Sequence, residues 1–306
     1  MLARLFLLTL MAFCASSPAA AEIFDAADLP MEKGLRDMAF PARPDAFGKA
    51  NGNRMFKPDG PGPFPAVVML PTCGGHGVWY SLFDWAKAAL ERGYVVLVVD
   101  PLTPRGVDGK TNCDRPLRVG LTRYRKDGFD AAEHLRKQPF VDRDRIVLLG
   151  QSQGASAGLG ASGKKHSAPN GRAAFRAIVS LYPSCGVPNY RSAMLKRVVD
   201  MRLLPEEVVV PLQVQMGELD TEVPPKYCLS LLEEVKGKGA PVDFIVHKNA
   251  THSWDAAALG GGTYRRPVPA WSPGVKTIVY RYNAQVTAES VKRAFEFFDK
   301  HLKGTQ

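Results

Sequence analysis

Six short aliphatic runs recur along the chain: PAVVMLP (65–71), YVVLVVD (94–100), RIVLLG (145–150), FRAIVSLYP (175–183), VVPLQVQMG (209–217) and VDFIVHK (242–248). Segments long enough for helices separate them, and this alternation constrains the fold more than any other feature. Strands that alternate with helices predict a mostly parallel central sheet covered by helices on both faces. The predicted helices are FDWAKAALERG (83–93), KDGFDAAEHLRKQ (126–138), a small-residue segment from about 153, a segment near 190–200, PPKYCLSLLEEVKG (224–237) and TAESVKRAFEFFDKHL (287–302). The stretch from Pro183 to Val209 has room for one helix, so no large cap domain is expected over the sheet. One α/β domain, 50–306, holds all of these elements, and 22–49 read as an irregular lead-in.

Residues 1–21 stand apart. Arg4 precedes the apolar run LFLLTLMAF, and CASSPAAA then places small residues around an Ala19-x-Ala21 cleavage site. The run is too short to span a bilayer as a helix, which predicts a removable signal peptide, an exported protein (periplasmic or extracellular) and no stable membrane insertion after cleavage. The formal net charge is +10. Its basic residues are spread along the chain with no long run, so nucleic acid is not expected as a partner. Cys73, Cys113, Cys185 and Cys228 lie beyond the leader. Export permits disulfides, and three pairings are open. No CxxC and no Cys/His cluster at zinc spacing is present, so no metal is expected.

The run RIVLLG ends in Gly150-Gln151-Ser152-Gln153-Gly154, a GxSxG between a buried strand and a helix. Such an elbow forces the serine into a strained backbone that lifts its hydroxyl above the sheet. A serine hydroxyl needs a base, and the base needs a carboxylate to orient it. In this architecture the acid and then the histidine follow the serine in loops at the ends of later strands. Glu218-Leu219-Asp220 follows VVPLQVQMG, and Asn249-Ala250-Thr251-His252 follows VDFIVHK. Asp220 is the expected acid, with Glu218 and Glu222 as alternatives, and His252 the expected general base. The oxyanion would be held by the backbone amides of Gln153 and of Cys73 in the glycine-rich loop 72–77, with Gly74 next to Cys73 in preference.

With PDGPGPFPAVVMLPTCGG, VVLVVDPLTPRG, LLGQSQGA, MGELDTEVPP, the His252 segment and the closing helix YRYNAQVTAESVKRAFEFFDKHL, residues 50–303 resemble the dienelactone hydrolase-like family of the α/β-hydrolase superfamily. The resemblance implies an α/β-hydrolase fold and the hydrolysis of small esters or lactones without a metal or organic cofactor. Two positions depart from the family pattern: Ser152 stands where its namesakes use a cysteine nucleophile, and Pro71-Thr72 where they carry His-Gly. Both departures tell against dienelactone hydrolysis itself and leave serine esterase chemistry intact. The fold so implied also suggests two disulfides, Cys185 with Cys228 and Cys73 with Cys113, the latter bracing the oxyanion loop.

The loop after Asp100 carries Arg105, Lys110, Arg115, Arg118, Arg123 and Arg125, and the segment after His252 adds Tyr264, Arg265 and Arg266. A carboxylate-bearing substrate is one expectation from these cations, with Arg105 the first candidate and solvated surface charge the alternative. His76, Trp254, Trp271 and Tyr264 are further candidate pocket residues. Gly158–Gly163 matches a dinucleotide fingerprint in form, but it lies within or just past the elbow helix, where small residues allow close packing. Other functions open to the same residues are acyl transfer, peptide hydrolysis and non-catalytic binding on a hydrolase scaffold.

Overall fold

The computed structural model describes residues 31–32, 52–76, 81–113, 118–169, 171–192, 197–267 and 277–303. The expected signal peptide, most of the lead-in, Arg115 and Trp271 lie outside them. An eight-stranded sheet runs in the order β1-β2-β4-β3-β5-β6-β9-β10. Its strands are β1 (Met31–Glu32), β2 (Arg54–Phe56), β3 (Phe64–Leu70), β4 (Val95–Val98), β5 (Val141–Gln151), β6 (Ile178–Leu181), β9 (Leu212–Gly217) and β10 (Val242–His247). All neighbouring pairs are parallel except β2 with β4.

The runs 66–70 of β3, 95–98 of β4 and 146–149 of β5 are apolar throughout because both faces of the sheet are covered there. Ala66, Val68 and Leu70 of β3 pack with residues of α3 (Leu121–Arg136), α4 (Gln153–Ser162) and α5 (Pro225–Gly237). Val67 and Met69 point to the other face, where α1 (Ser81–Leu90) and α6 (Ala284–Leu302) cover them with Trp85, Phe295 and Phe298. This is the α/β-hydrolase arrangement, a mostly parallel sheet with helices on both faces. The Asn283 side chain caps α6 by accepting from the Val286 amide. Among the described residues no helix is long and apolar enough to cross a membrane.

Two segments differ from expectation. In place of a helix near 190–200, β7 (Gly186–Ser192) and β8 (Arg197–Arg202) form an antiparallel hairpin. Val198 and Val199 favour strand, and Pro188, which has no N–H for a ladder, falls where the pairing shifts register between Val187 and Tyr190. The stretch after His252, whose glycines, prolines and aromatics read as irregular chain, also holds a hairpin, β11 (Thr263–Pro267) with β12 (Thr277–Arg281), in which Tyr264 faces Tyr280. A short helix, α2 (Gly109–Cys113), follows the turn after β4.

Candidate active site

Ser152 sits at the turn between β5 and α4 with φ 49° and ψ −106°. The flanking glycines are required by contact. A Cβ on Gly150 would lie 2.4 Å from the Gly154 carbonyl oxygen, and one on Gly154 would lie 2.4 Å from that of Leu70. The Ser152 amide donates to Leu181 O at 2.9 Å, tying the elbow to the end of β6.

The loops after β9 and β10 bring two more side chains to the serine. Ser152 Oγ lies 3.1 Å from His252 Nε2, and His252 Nδ1 lies 2.7 Å from Asp220 Oδ2. Asp220 and His252 are 4% and 2% exposed, so both are shielded from competing water. The other Asp220 oxygen accepts from the amides of Glu222 and Val223, each at 2.9 Å, which fixes the carboxylate plane. Leu219 N donates to Ala250 O at 2.9 Å, so the two loops hold one another in place. Burial alone would lower the His252 pKa. The carboxylates of Asp220 and Glu222 outweigh it and leave the imidazole above its ordinary value.

Of the alternative acids, Glu222 also reaches His252, from the serine side of the ring. Its Oε2 stands 3.5 Å from Nε2 and accepts from Tyr280 OH at 2.6 Å, while its Oε1 accepts from Arg266 at 2.7 Å. Glu218 Oε2 accepts instead from the exposed amide of Asn249 at 3.2 Å.

A cavity of about 40 Å3 opens beside the serine, lined on one side by Thr72, Cys73 and Cys113 and on the other by Glu222, Tyr264, Arg266 and Tyr280. The second wall comes largely from the β11–β12 hairpin: Tyr264 and Arg266 alternate onto one face, and Tyr280 lies opposite Tyr264. Strand alternation in TYRRP and TIVYR was the sequence signal for this wall.

The loop after β3 is held through its carbonyls. Tyr124 OH donates to Thr72 O at 3.0 Å, Asn112 Nδ2 donates to Cys73 O at 2.8 Å, and a disulfide joins Cys73 to Cys113. With those carbonyls engaged, the Cys73 amide has no acceptor among the described residues, and the Gln153 amide belongs to the first turn of α4, where N–H groups lack intrahelical partners. A second disulfide joins Cys185 to Cys228, so both pairs suggested by the fold are present. Among the described residues no group of three or more His, Cys, Asp or Glu side chains is placed to hold a metal ion.

Three candidate pocket residues are elsewhere. Arg105 is engaged by the buried Asp127 through two 2.9 Å contacts and does not line the cavity. His76 is 2% exposed, donates from Nε2 to Gly52 O at 2.8 Å, and has its imidazole pKa pushed below the ordinary value by burial. Trp254 is fully buried against Tyr182 and His247. Tyr264, the fourth, does line the cavity.

No curated protein matches the chain. Among solved structures, a candidate dienelactone hydrolase from Klebsiella pneumoniae is similar at 16% identity and a TM-score of 0.59, over 80% of this chain and 90% of that one. The propionate-bound structure of esterase Est2 from Thermogutta terrifontis is similar at 16% identity and a TM-score of 0.54, over 81% of this chain and 88% of that one. Its butyrate-bound structure gives 15%, 0.56, 83% and 91%. These identities carry the fold alone. The model of the dienelactone hydrolase family matches residues 52–302. The chain therefore belongs to the dienelactone hydrolase family and is a carboxylic ester hydrolase.

Proposed function

We propose that the protein is an exported serine esterase that cleaves small esters or lactones through an acyl-enzyme. The observation that carries this reading is the unbroken relay from Ser152 Oγ through His252 to Asp220, at 3.1 and 2.7 Å. Ser152 Oγ attacks the ester carbonyl carbon while His252 Nε2 takes its proton, and the amides of Cys73 and Gln153 hold the oxyanion. Collapse breaks the bond to the leaving oxygen, which takes the proton back from His252. A water activated by the same nitrogen then attacks the acyl-serine and releases the acid. Asp220 keeps Nδ1 protonated and stabilises the imidazolium throughout.

The small cavity supports a short acyl group, in keeping with the propionate and butyrate bound by the Thermogutta esterase. Arg266, the arginine of the lining, is already neutralised by Glu222, which supports an uncharged substrate over a carboxylated one. The leader-like residues 1–21 and the two disulfides support export.

Pre-steady-state hydrolysis of p-nitrophenyl esters from acetate to octanoate tests the reading. It predicts a burst of one nitrophenolate per active site, kcat/KM highest for acetate to butyrate, and a lower kcat/KM for carboxylated analogues. A linear time course whose slope is unchanged by Ser152→Ala would refute it.

A further inference from the structure

Behind the serine and the histidine lies a carboxylate that the relay does not use. Asp255, three residues after His252, is 1% exposed. Its Oδ2 accepts from Trp85 Nε1 and Gln151 Nε2, each at 2.8 Å, and Tyr182 OH lies 3.0 and 3.2 Å from its two oxygens. The donors come from α1, from the residue before the serine and from the residue after β6. No cation pairs with Asp255 among the described residues. A carboxylate buried without a counter-charge costs stability relative to an apolar side chain, so packing alone gives no reason for it. Burial pushes its carboxyl above the usual range, and the Trp85, Tyr182 and Gln151 donors act the other way.

Its partners touch both halves of the relay. Gln151 is bonded to Ser152 through the chain and is gripped a second time by Ser81 Oγ at 3.1 Å. Tyr182 stands edge-on to the imidazole, ring centroids 4.8 Å apart, with Trp254 packed against it at 4.9 Å. Its backbone is held at φ 43° by the bond from its amide to Gln215 O at 2.7 Å.

Resting on the serine esterase reading, we propose that Asp255 is a positioning residue that sets the Ser152 to His252 separation from behind, through Gln151 on one side and Tyr182 on the other. The role is geometric. An asparagine can reproduce it, its oxygen accepting from Trp85 and Gln151 and its amide donating to the Tyr182 oxygen, whereas alanine removes the one group that ties the three donors together and leaves Gln151 to Ser81.

The test measures kcat per active site, counted by fluorophosphonate titration, for wild type, Asp255→Asn, Asp255→Ala and Tyr182→Phe. Misplacing reacting groups by a fraction of an ångström to an ångström predicts that Asp255→Ala loses about ten- to a hundredfold in kcat per titrated site with KM within about threefold. Asp255→Asn stays within about threefold of wild type, and Tyr182→Phe falls between them. A purely structural residue would lower the melting temperature and the titratable fraction but leave kcat per titrated site unchanged, and that result overturns the proposal. If Asp255→Ala does not fold, Tyr182→Phe and Gln151→Met decide: both within twofold of wild type per site also overturns it. Wild type that takes up no probe removes the esterase reading itself, which is separate from an active wild type with an indifferent Asp255→Ala.

Discussion

Glu222 Oε2 stands 3.5 Å from His252 Nε2, the ring nitrogen that also faces Ser152, while Asp220 holds the opposite nitrogen at 2.7 Å. Two carboxylates thus address one imidazole from different ends, and the geometry separates their roles. Only the carboxylate at Nδ1 can fix the tautomer that leaves Nε2 free to accept the serine proton. Asp220→Asn is expected to lower kcat by about 10⁴-fold. Glu222→Gln, which removes charge but keeps the shape at the cavity wall, is expected to cost less than about tenfold. Steady-state kinetics on one short-chain ester compares them, and equal losses would place the acid wrongly.

Both carboxylates raise the His252 pKa against the effect of burial, leaving it above 6.5. The base must be neutral to act, so kcat/KM is expected to rise with pH through an apparent pKa above 6.5. Glu222→Gln removes one raising charge and leaves Arg266 beside the ring, so the acid limb moves to lower pH. A limb that stays in place or moves up runs against this account. The linked stability has the same sign: His252 contributes fully below its unfolded pKa, and the contribution is lost as pH rises through the folded one.

Arg105 pairs with Asp127, whose side chain is fully buried. Its removal strands a buried carboxylate that, among the described residues, has Arg123 at 3.7 Å as its remaining cation. Arg105→Ala is therefore expected to lower unfolding free energy by about 3 kcal/mol. The ratio of kcat/KM for neutral over carboxylated esters should not change. Denaturant melts and a paired-substrate assay check both halves.

The Cys73–Cys113 bridge spans 40 residues and ties the candidate oxyanion loop to α2. A loop of that length is worth up to about 4 kcal/mol of unfolded-state entropy. Replacing both cysteines with serine is expected to lower stability by about 2–4 kcal/mol and to lower kcat more than it raises KM, because the amide it steadies serves the transition state. A variant with unchanged kcat would detach the bridge from the chemistry.

The sheet was legible because its strands are short, aliphatic and regularly separated, and buried strands leave no polar face to obscure them. Ser152, Asp220 and His252 were legible as an ordered set because strand ends fix where loops emerge. Asp220 was preferred to Glu222 because it sits just past its strand, and the side-chain geometry puts the two carboxylates on different ring nitrogens. Arg105 misled because a sequence shows a cation but not its partner, and Asp127 is 22 residues away. The 186–202 hairpin was missed because lysine, leucine and methionine there suggested helix, while the strand signals, Pro188 and the Val198-Val199 pair, were weaker. Asp255 was invisible for a different reason: its importance lies in donors brought from three separate elements, and no spacing records that.

The most direct measurement is fluorophosphonate labelling of the purified protein beside Ser152→Ala, with the modified peptide identified by mass spectrometry. An activated serine predicts stoichiometric labelling confined to Ser152 and none in the variant. Folded, disulfide-intact protein that takes up no label, or takes it up at another residue, would contradict the account.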